Sequence, residues 1–341
     1  MIPHYHLINC DSIDILTSFI DNKEIGIRMP LFKENKITTK YISSQVRMCW
    51  DILADVARVK RGDYIYLHSS GEIIGTFIVT NAPYTLHYFI QTVNKRYWIE
   101  HFDEIKNIVN KGEYVIKIPI EKVSNYDFLP MNIIFDQIAK NNISSLPFRL
   151  RYEDKNKTIK GLLKKDFLFV DKIFRNFYPF ANNYYVDLNQ IYIKKTNLNF
   201  NLEHDLYEKN LEAFLVNKLR NEGWNVLNTV PLGYLKMADI VSWTEMPDGF
   251  INNVNIWELK SDNSHYNNFN SFKKEMKELQ NRASFLSIFF NQNLLSITGN
   301  FVARRYWKNF IYDTDKLILP IGNINEINFY EIPLNLKRKV I

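Results

Sequence analysis

The sequence predicts an α+β protein of two domains, and three observations carry that reading. The chain has 341 residues, 46% of them hydrophobic and 23% charged, which is a globular composition long enough for two separate cores. A hairpin with a strong β signal lies near residues 64–80. A second hairpin, at 237–260, sits within the order helix, three strands, helix, strand.

In chain order, Tyr5 to Ile8 reads as a short strand and Ile25 to Met29 as another. Ser43 to Val59 reads as a helix with Val46, Trp50, Leu53 and Ala57 on one face. Gly62-Asp63 then punctuates, Tyr64 to His68 is a strand, Ser69-Ser70-Gly71 turns, and Ile73 to Thr80 is the partner strand. Signals weaken over residues 120–200. Phe148-Arg149-Leu150-Arg151 with Lys155, Lys157, Lys160, Lys164 and Lys165 forms a basic stretch that could track phosphates or simply face solvent. From Phe174 to Phe200 the chain is rich in Asn, Tyr and Phe without a clear period. The domain connection is therefore placed near 185–202, dividing a domain at 1–190 from one at 200–341.

The second domain opens on a helix from Leu202 to Gly223, with the glycine at the C-terminal cap. Tyr207, Leu211, Phe214 and Leu215 define its apolar face. Glu208 falls inside that face, between Leu215 and Leu219, and Glu212 lies at its edge. An acid in an apolar stripe is costly unless it points into a polar site. Trp224 to Leu232 is the first strand; Met237 to Trp243 and Val254 to Lys260 follow, joined by the turn-forming Pro247-Asp248-Gly249. Ser271 to Ser284 makes the next helix, with Phe272, Met276, Leu279 and Ala283 inward and Gln280 beside that stripe. Leu294 to Thr298 adds a strand, Leu317 to Ile321 and Asn328 to Ile332 extend the sheet, and Arg304 and Arg305 could meet phosphate.

Because strand side chains alternate, Glu258 and Lys260 project to one side and Trp257 and Leu259 to the other. The neighbouring strand can bring Asp239 to the same place. Two acids and a lysine on an otherwise apolar sheet are expensive unless a cation or substrate uses them. Spacing alone does not single out this pair, since Glu-x-Lys also occurs at Glu34, Glu104, Glu153 and Glu275; its strand, turn and upstream aspartate do.

This arrangement resembles the PD-(D/E)xK nuclease superfamily, with Asp239 as the motif aspartate and Glu258 and Lys260 as its Glu-x-Lys pair. Ala238 stands where the family's name has proline. The run E-K-N-L-E-A-F-L is similar to the opening pattern of NucS-type endonucleases, which favours Glu208 over Glu212 as the helical site glutamate. The resemblance implies an αβββαβ restriction-endonuclease-like domain with a mixed sheet. It further implies Mg²⁺ held by Asp239, Glu258 and Glu208, Lys260 orienting or deprotonating the attacking water, and Gln280 contacting substrate or orienting catalytic groups. Over residues 40–150 a second resemblance runs from W-D-I-L through R-G-D-Y-I-Y-L-H-S-S-G-E-I-I-G-T-F-I-V-T-N-A-P-Y. It is to the PUA-like superfamily, in its EVE and YTH-type branch. That implies a β-barrel-type domain that takes a single flipped base between aromatic rings, here Trp50 and Trp98, or leaves both rings in ordinary packing.

Together the two resemblances imply a modification-dependent DNA endonuclease. The alternatives are a NucS-like repair endonuclease for mismatched or branched DNA, a conventional type II restriction enzyme, and a non-catalytic nucleic-acid-binding protein. Double-strand cutting with one site per chain would favour a homodimer. The net charge of +6, with a pI near 8.9, permits an acidic partner such as DNA. Two cysteines give neither a disulfide framework nor zinc spacing, and seven histidines form no ligand cluster. The apolar run Phe285 to Phe290 is too short for a membrane span, and no secretion signal is read at the start, so a cytoplasmic protein is expected.

Overall fold

A computed structural model of the chain describes residues 2–28, 39–86, 99–140, 158–196, 198, 200, 208–233, 236–260, 269–294, 296–303, 324, 326–331 and 335–339. The chain divides into two compact units, Met1–Asn201 and Leu202–Ile341, and the fold is α+β.

The first unit runs β1 (Tyr5–Asn9), α1 (Ile13–Asp21), β2 (Glu24–Arg28), α2 (Thr39–Ala57), β3 (Tyr64–Ser69), β4 (Glu72–Val79) and β5 (Tyr84–Thr85). It continues with α3 (Phe102–Asn110), β6 (Tyr114–Lys122), β7 (Phe128–Pro130), α4 (Met131–Lys140), β8 (Ile159–Leu162) and α5 (Lys164–Phe177). The strands form one sheet in the order β2-β6-β4-β3-β1-β8, with β5 against β6 and β7 against β4. The β3–β4 hairpin closes on Ser70 (φ 50°) and Gly71 (φ 84°), the double left-handed turn that fits strand twist. β1 runs parallel to β3, so no hairpin can set their register. Asp63 sets it instead: its buried carboxylate accepts from the His4 backbone N–H (2.8 Å) and the Lys60 N–H (2.8 Å) and meets His6 Nε2 at 3.0 Å. Gly62-Asp63, a punctuating pair in the sequence, thus also carries the carboxylate that ties β1 to β3.

Under the sheet lies an aromatic stack in which Tyr66 sits 4.4 Å from Phe167 and 5.6 Å from Phe174, with Tyr126 a further 5.0 Å from Phe174. α5 supplies two of those rings because Phe167, Val170 and Phe174 recur at helical spacing. Lys160, expected in a phosphate-tracking basic stretch, is instead buried in β8, the edge strand that pairs with β1. Lys164 and Lys165 open α5, and Arg149, Arg151, Lys155 and Lys157 lie outside the described residues.

The second unit runs α6 (Glu208–Asn221), β9 (Asn225–Gly233), β10 (Lys236–Glu245), β11 (Ile251–Leu259), α7 (Phe269–Ala283), α8 (Leu286–Phe290), β12 (Ser296–Ala303), β13 (Glu326–Glu331) and β14 (Asn335–Lys339). Its mixed sheet has the order β14-β13-β12-β11-β10-β9. β9, β10 and β11 are antiparallel neighbours, whereas β11, β12 and β13 are parallel. The parallel step forces a crossover, and α7 makes it. Gly299 on β12 lets α7 close tightly, since an added Cβ would stand 3.2 Å from Leu279 Cδ2. The β10–β11 turn uses Gly249 at φ 87°, with Asp248 Oδ1 accepting from the Phe250 N–H at 3.0 Å. Residues 317–321, expected to extend this sheet, lie outside the described residues, as do Arg304 and Arg305.

Asp63→Ala would strand two backbone donors and His6 in the interior, and the first unit should lose about 3 kcal/mol of unfolding free energy. Urea denaturation of the full chain checks this; a loss below about 1 kcal/mol would show that Asp63 does not hold β1 against β3.

Candidate active site

The hairpin of β10 and β11 brings the acidic residues together. Its register pairs Ile240 with Trp257, so Asp239 and Glu258 are the next residues out on adjacent strands. Asp239 Oδ2 accepts from the Leu259 backbone N–H at 2.7 Å, which fixes the carboxylate at the strand end. The Lys260 N–H continues the parallel ladder to Val302 O at 2.9 Å, so the lysine leaves the sheet from a defined point. On the opposite face Trp257 donates to Ser242 Oγ at 3.0 Å and packs against Tyr330. Alternation thus puts the ring and the charges on opposite sides, as the sequence predicts.

Glu258 is 1% exposed, and its carboxylate is held by cations on both oxygens. Lys260 Nζ donates to Oε1 at 2.5 Å, and Arg282 Nη1 donates to Oε2. Lys260 also meets Glu275 Oε2 at 3.2 Å, and Arg282 Nη2 reaches Glu278 Oε2 at 3.4 Å. Glu275 and Arg282 both come from α7. They stand seven residues apart and flank Leu279, so one edge of the helix's apolar stripe is charged and turned to β11.

α6 contributes two glutamates in different states. Glu208 is half-buried at the helix start; burial and then the Asp239 charge push its carboxyl up to about 7. Glu212 is buried and fully engaged, accepting from Lys209 (2.6 Å), Asn228 Nδ2 (2.7 Å) and Thr229 Oγ1 (3.1 Å). Burial and then Asp239 push Glu258 up to about 8, against Lys260 and Arg282. Asp239 is raised as well, chiefly by burial. Burial alone would lower the Lys260 ammonium, but Glu258 and then Asp239 outweigh it and hold it above its usual range. Lys260 is therefore a fixed cation. As an ammonium it suits orienting a water rather than deprotonating one.

The structure thus gathers Asp239, Glu258, Lys260 and Glu208, and adds Glu275 and Arg282. By sequence Glu275 is one of several Glu-x-Lys matches and Arg282 is unmarked; the packing of α7 against β11 brings both to the site. Gln280 is buried, and its Oε1 has no hydrogen-bond partner among the described residues. Five residues from Glu275, it lies about 140° around the helix, on the other edge of the stripe. Trp50 is 1% exposed, on the inward side of α2 with Leu53 and Ala57 also buried. No face of its ring is open to a base, because α2 spends that residue on the core. Trp98 lies outside the described residues. Among the described residues, no three Asp, Glu, His or Cys side chains are arranged to hold a metal ion, and no helix is long and apolar enough to cross a membrane. Carboxylate oxygens suit Mg²⁺, but both Glu258 oxygens are taken by cations and one Asp239 oxygen by a backbone N–H, so the site as it stands does not fit the ion.

No protein-family model and no curated protein matches the chain. Among solved structures it is similar to human THYN1 protein in complex with 5-methylcytosine containing DNA, at 12% identity and a TM-score of 0.29, over 50% of this chain and 96% of that one.

The raised Glu258 carboxyl sets a pH dependence. Between its ordinary 4.5 and about 8, the folded state binds the proton that the unfolded state has released. This contribution to stability is full below that window and is lost as the pH rises through it. Unfolding free energy of the second unit should therefore fall with pH across the window, and Glu258→Gln should flatten the fall. Parallel profiles for the two proteins would remove Glu258 as the source.

Proposed function

We propose that the chain is a Mg²⁺-dependent endodeoxyribonuclease whose second unit hydrolyses phosphodiester bonds and whose first unit reads a base, so that cleavage depends on modification. One observation carries the catalytic half: Asp239, Glu258 and Lys260 stand together at the ends of two paired strands, the grouping that the resemblance to PD-(D/E)xK nucleases requires. Phosphodiester hydrolysis needs an oriented water and positive charge near the scissile phosphate. Lys260, kept as an ammonium, supplies both by donating to the water and offsetting charge on the phosphate. Glu208, half-buried and close enough to Asp239 to feel its charge, would accept the water's proton. Asp239, Glu258 and Glu208 are the residues that the resemblance would have hold Mg²⁺, which would polarise the phosphate and lower the pKa of water. No step is assigned to it, since Lys260 and Arg282 hold both Glu258 oxygens.

The reading half rests on the resemblance of residues 40–150 to PUA-like domains. With Trp50 in the core, Trp98 is the remaining ring proposed to stack on a flipped base.

Glu258→Gln, Asp239→Asn and Lys260→Met should each lower Mg²⁺-dependent cleavage of duplex DNA by at least about a thousandfold while leaving the fold intact. A folded Glu258→Gln protein that cuts at the wild-type rate would place the chemistry elsewhere. The two helical glutamates should separate. Glu208→Gln should cut about tenfold to a hundredfold more slowly with unchanged stability. Glu212→Gln should cost about 2 kcal/mol of stability with near wild-type turnover of the folded fraction.

For the reader, the inert Glu258→Gln full chain can be titrated with duplexes that differ only in one cytosine or adenine modification. About tenfold preference is expected, and Trp98→Ala should erase it. Equal binding to every duplex would turn the reading towards a repair or conventional restriction nuclease.

A further inference from the structure

Residues 178–196 of the first unit form no long helix or strand, yet their backbone is tied down along its length. Asn182 O accepts from the Asn125 N–H at 3.0 Å, and the Tyr184 N–H donates to Val123 O at 2.9 Å. Arg61 Nη2 donates to the carbonyls of Leu188 and Ile191. Asn81 then clamps the far end, its Nδ2 donating to Tyr192 O at 2.8 Å and its Oδ1 accepting from the Lys194 N–H at 3.2 Å. A backbone anchored this way presents its outward side chains in fixed places. Three of those are rings held almost wholly in water: Phe180 is 95% exposed, Tyr185 89% and Tyr192 86%. Rings displayed on an anchored backbone mark a surface that something covers.

The charges beside the rings indicate what covers them. From Phe177 to Thr196 the charged residues are Lys194, Lys195 and Asp187, and the Asp187 carboxylate is occupied in accepting from the Asn189 N–H at 3.0 Å. Lys194 Nζ lies 4.4 Å over the ring of Tyr84 on β5. Tyr84 pairs across the sheet with Lys117 of β6, so those two side chains share a face. Lys117 and Arg28 in turn lie over the Tyr114 ring, at 5.5 and 4.4 Å from its centre. Two acids stand nearby. Glu24 accepts from the Tyr84 hydroxyl, and the exposed Asp11 is 3.9 Å from Arg28. Each cation of the row Lys194, Lys117 and Arg28 is thus steadied mainly by an aromatic face, which leaves its charge open to an incoming anion.

We propose that residues 180–195, with Lys117 and Arg28, form a track for single-stranded nucleic acid, whose bases stack on Phe180, Tyr185 and Tyr192 and whose phosphates meet the cations. Rings alone would suit an apolar protein surface or a second copy of the chain; the cations select a polyanion. A duplex supplies phosphates but keeps its base faces stacked inside, so an unpaired strand is the partner that satisfies rings and cations together. Because the segment is already ordered by its anchors, binding does not have to order it again. The inference goes beyond the readings above, since it needs neither Trp98 nor the charged site of the second unit.

The test is fluorescence anisotropy of labelled oligothymidylate with the full chain in chelator, so that no strand is cut, and with a duplex of equal length alongside. Tyr185→Ala and Tyr192→Ala should each weaken oligothymidylate binding about tenfold, the loss of one base stack, and leave duplex affinity unchanged. Tyr192→Phe keeps the ring and should bind as wild type. Lys194→Gln and Lys195→Gln should each make the log–log salt dependence of oligothymidylate binding shallower by about 0.7, one phosphate contact. If wild type does not bind oligothymidylate, or both tyrosine-to-alanine variants bind it like wild type, the track is wrong. A dimer in sedimentation velocity that either of those variants dissociates would assign the rings to a second copy and overturn the track as well. Mg²⁺-dependent duplex cleavage by the same preparations scores the nuclease reading separately, because none of these residues belongs to its site.

Discussion

A carboxylate 1% exposed between two strands is the constraint on which the second unit depends. Burying an unpaired ionised acid would cost several kcal/mol or more, enough to consume much of a domain's net stability. Glu258 is tolerated because two cations reach it from different directions. Lys260 comes from the same strand and Arg282 from α7. The second requires α7 to lie close over β12, which Gly299 permits, and to turn a charged edge toward β11. The parallel step from β11 to β12 provides that crossover. Sheet order, helix placement and charge pairing are thus one solution to the problem of a buried acid.

Much of this arrangement was legible in the sequence, and the reasons are local. Met237 to Lys260 carries its own turn chemistry and its own alternation, so both the hairpin and the facing of Glu258 against Trp257 follow from near neighbours. The opening helix carried an acid at the first turn and a glycine at its end, and Gly223 indeed takes φ 91°. Long-range partners were not legible. Nothing within a few residues of Glu275 or Arg282 indicates that β11 will lie across from them, and a Glu-x-Lys count made Glu275 look like noise. In the first unit the β3–β4 hairpin was readable from Ser70-Gly71, while the parallel pairing of β1 with β3 joins residues 59 apart. Trp50 shows the limit from the other side. A tryptophan on an apolar helical stripe satisfies a core and a base-stacking wall equally in sequence, and only the packing decides between them.

Asp63, Glu212 and Glu258, three of the buried acids among the described residues, differ in the kind of donor that satisfies them. Asp63 is held by two backbone N–H groups and by His6, partners fixed by the pairing of β1 with β3 and by the turn before β3. Glu212 is held by Lys209, Asn228 and Thr229, all carried by α6 and β9, elements already packed together. Glu258 is held only by long, charged side chains among its hydrogen bonds described above, and each of those has a second carboxylate to retreat to: Glu275 for Lys260 and Glu278 for Arg282. An acid fixed by backbone donors is part of the scaffold. An acid held by exchangeable cations can trade one of them for a different positive partner at little cost in packing, because each displaced side chain keeps a counter-charge. That difference, more than burial or a raised pKa, is what sets Glu258 apart from Asp63 and Glu212.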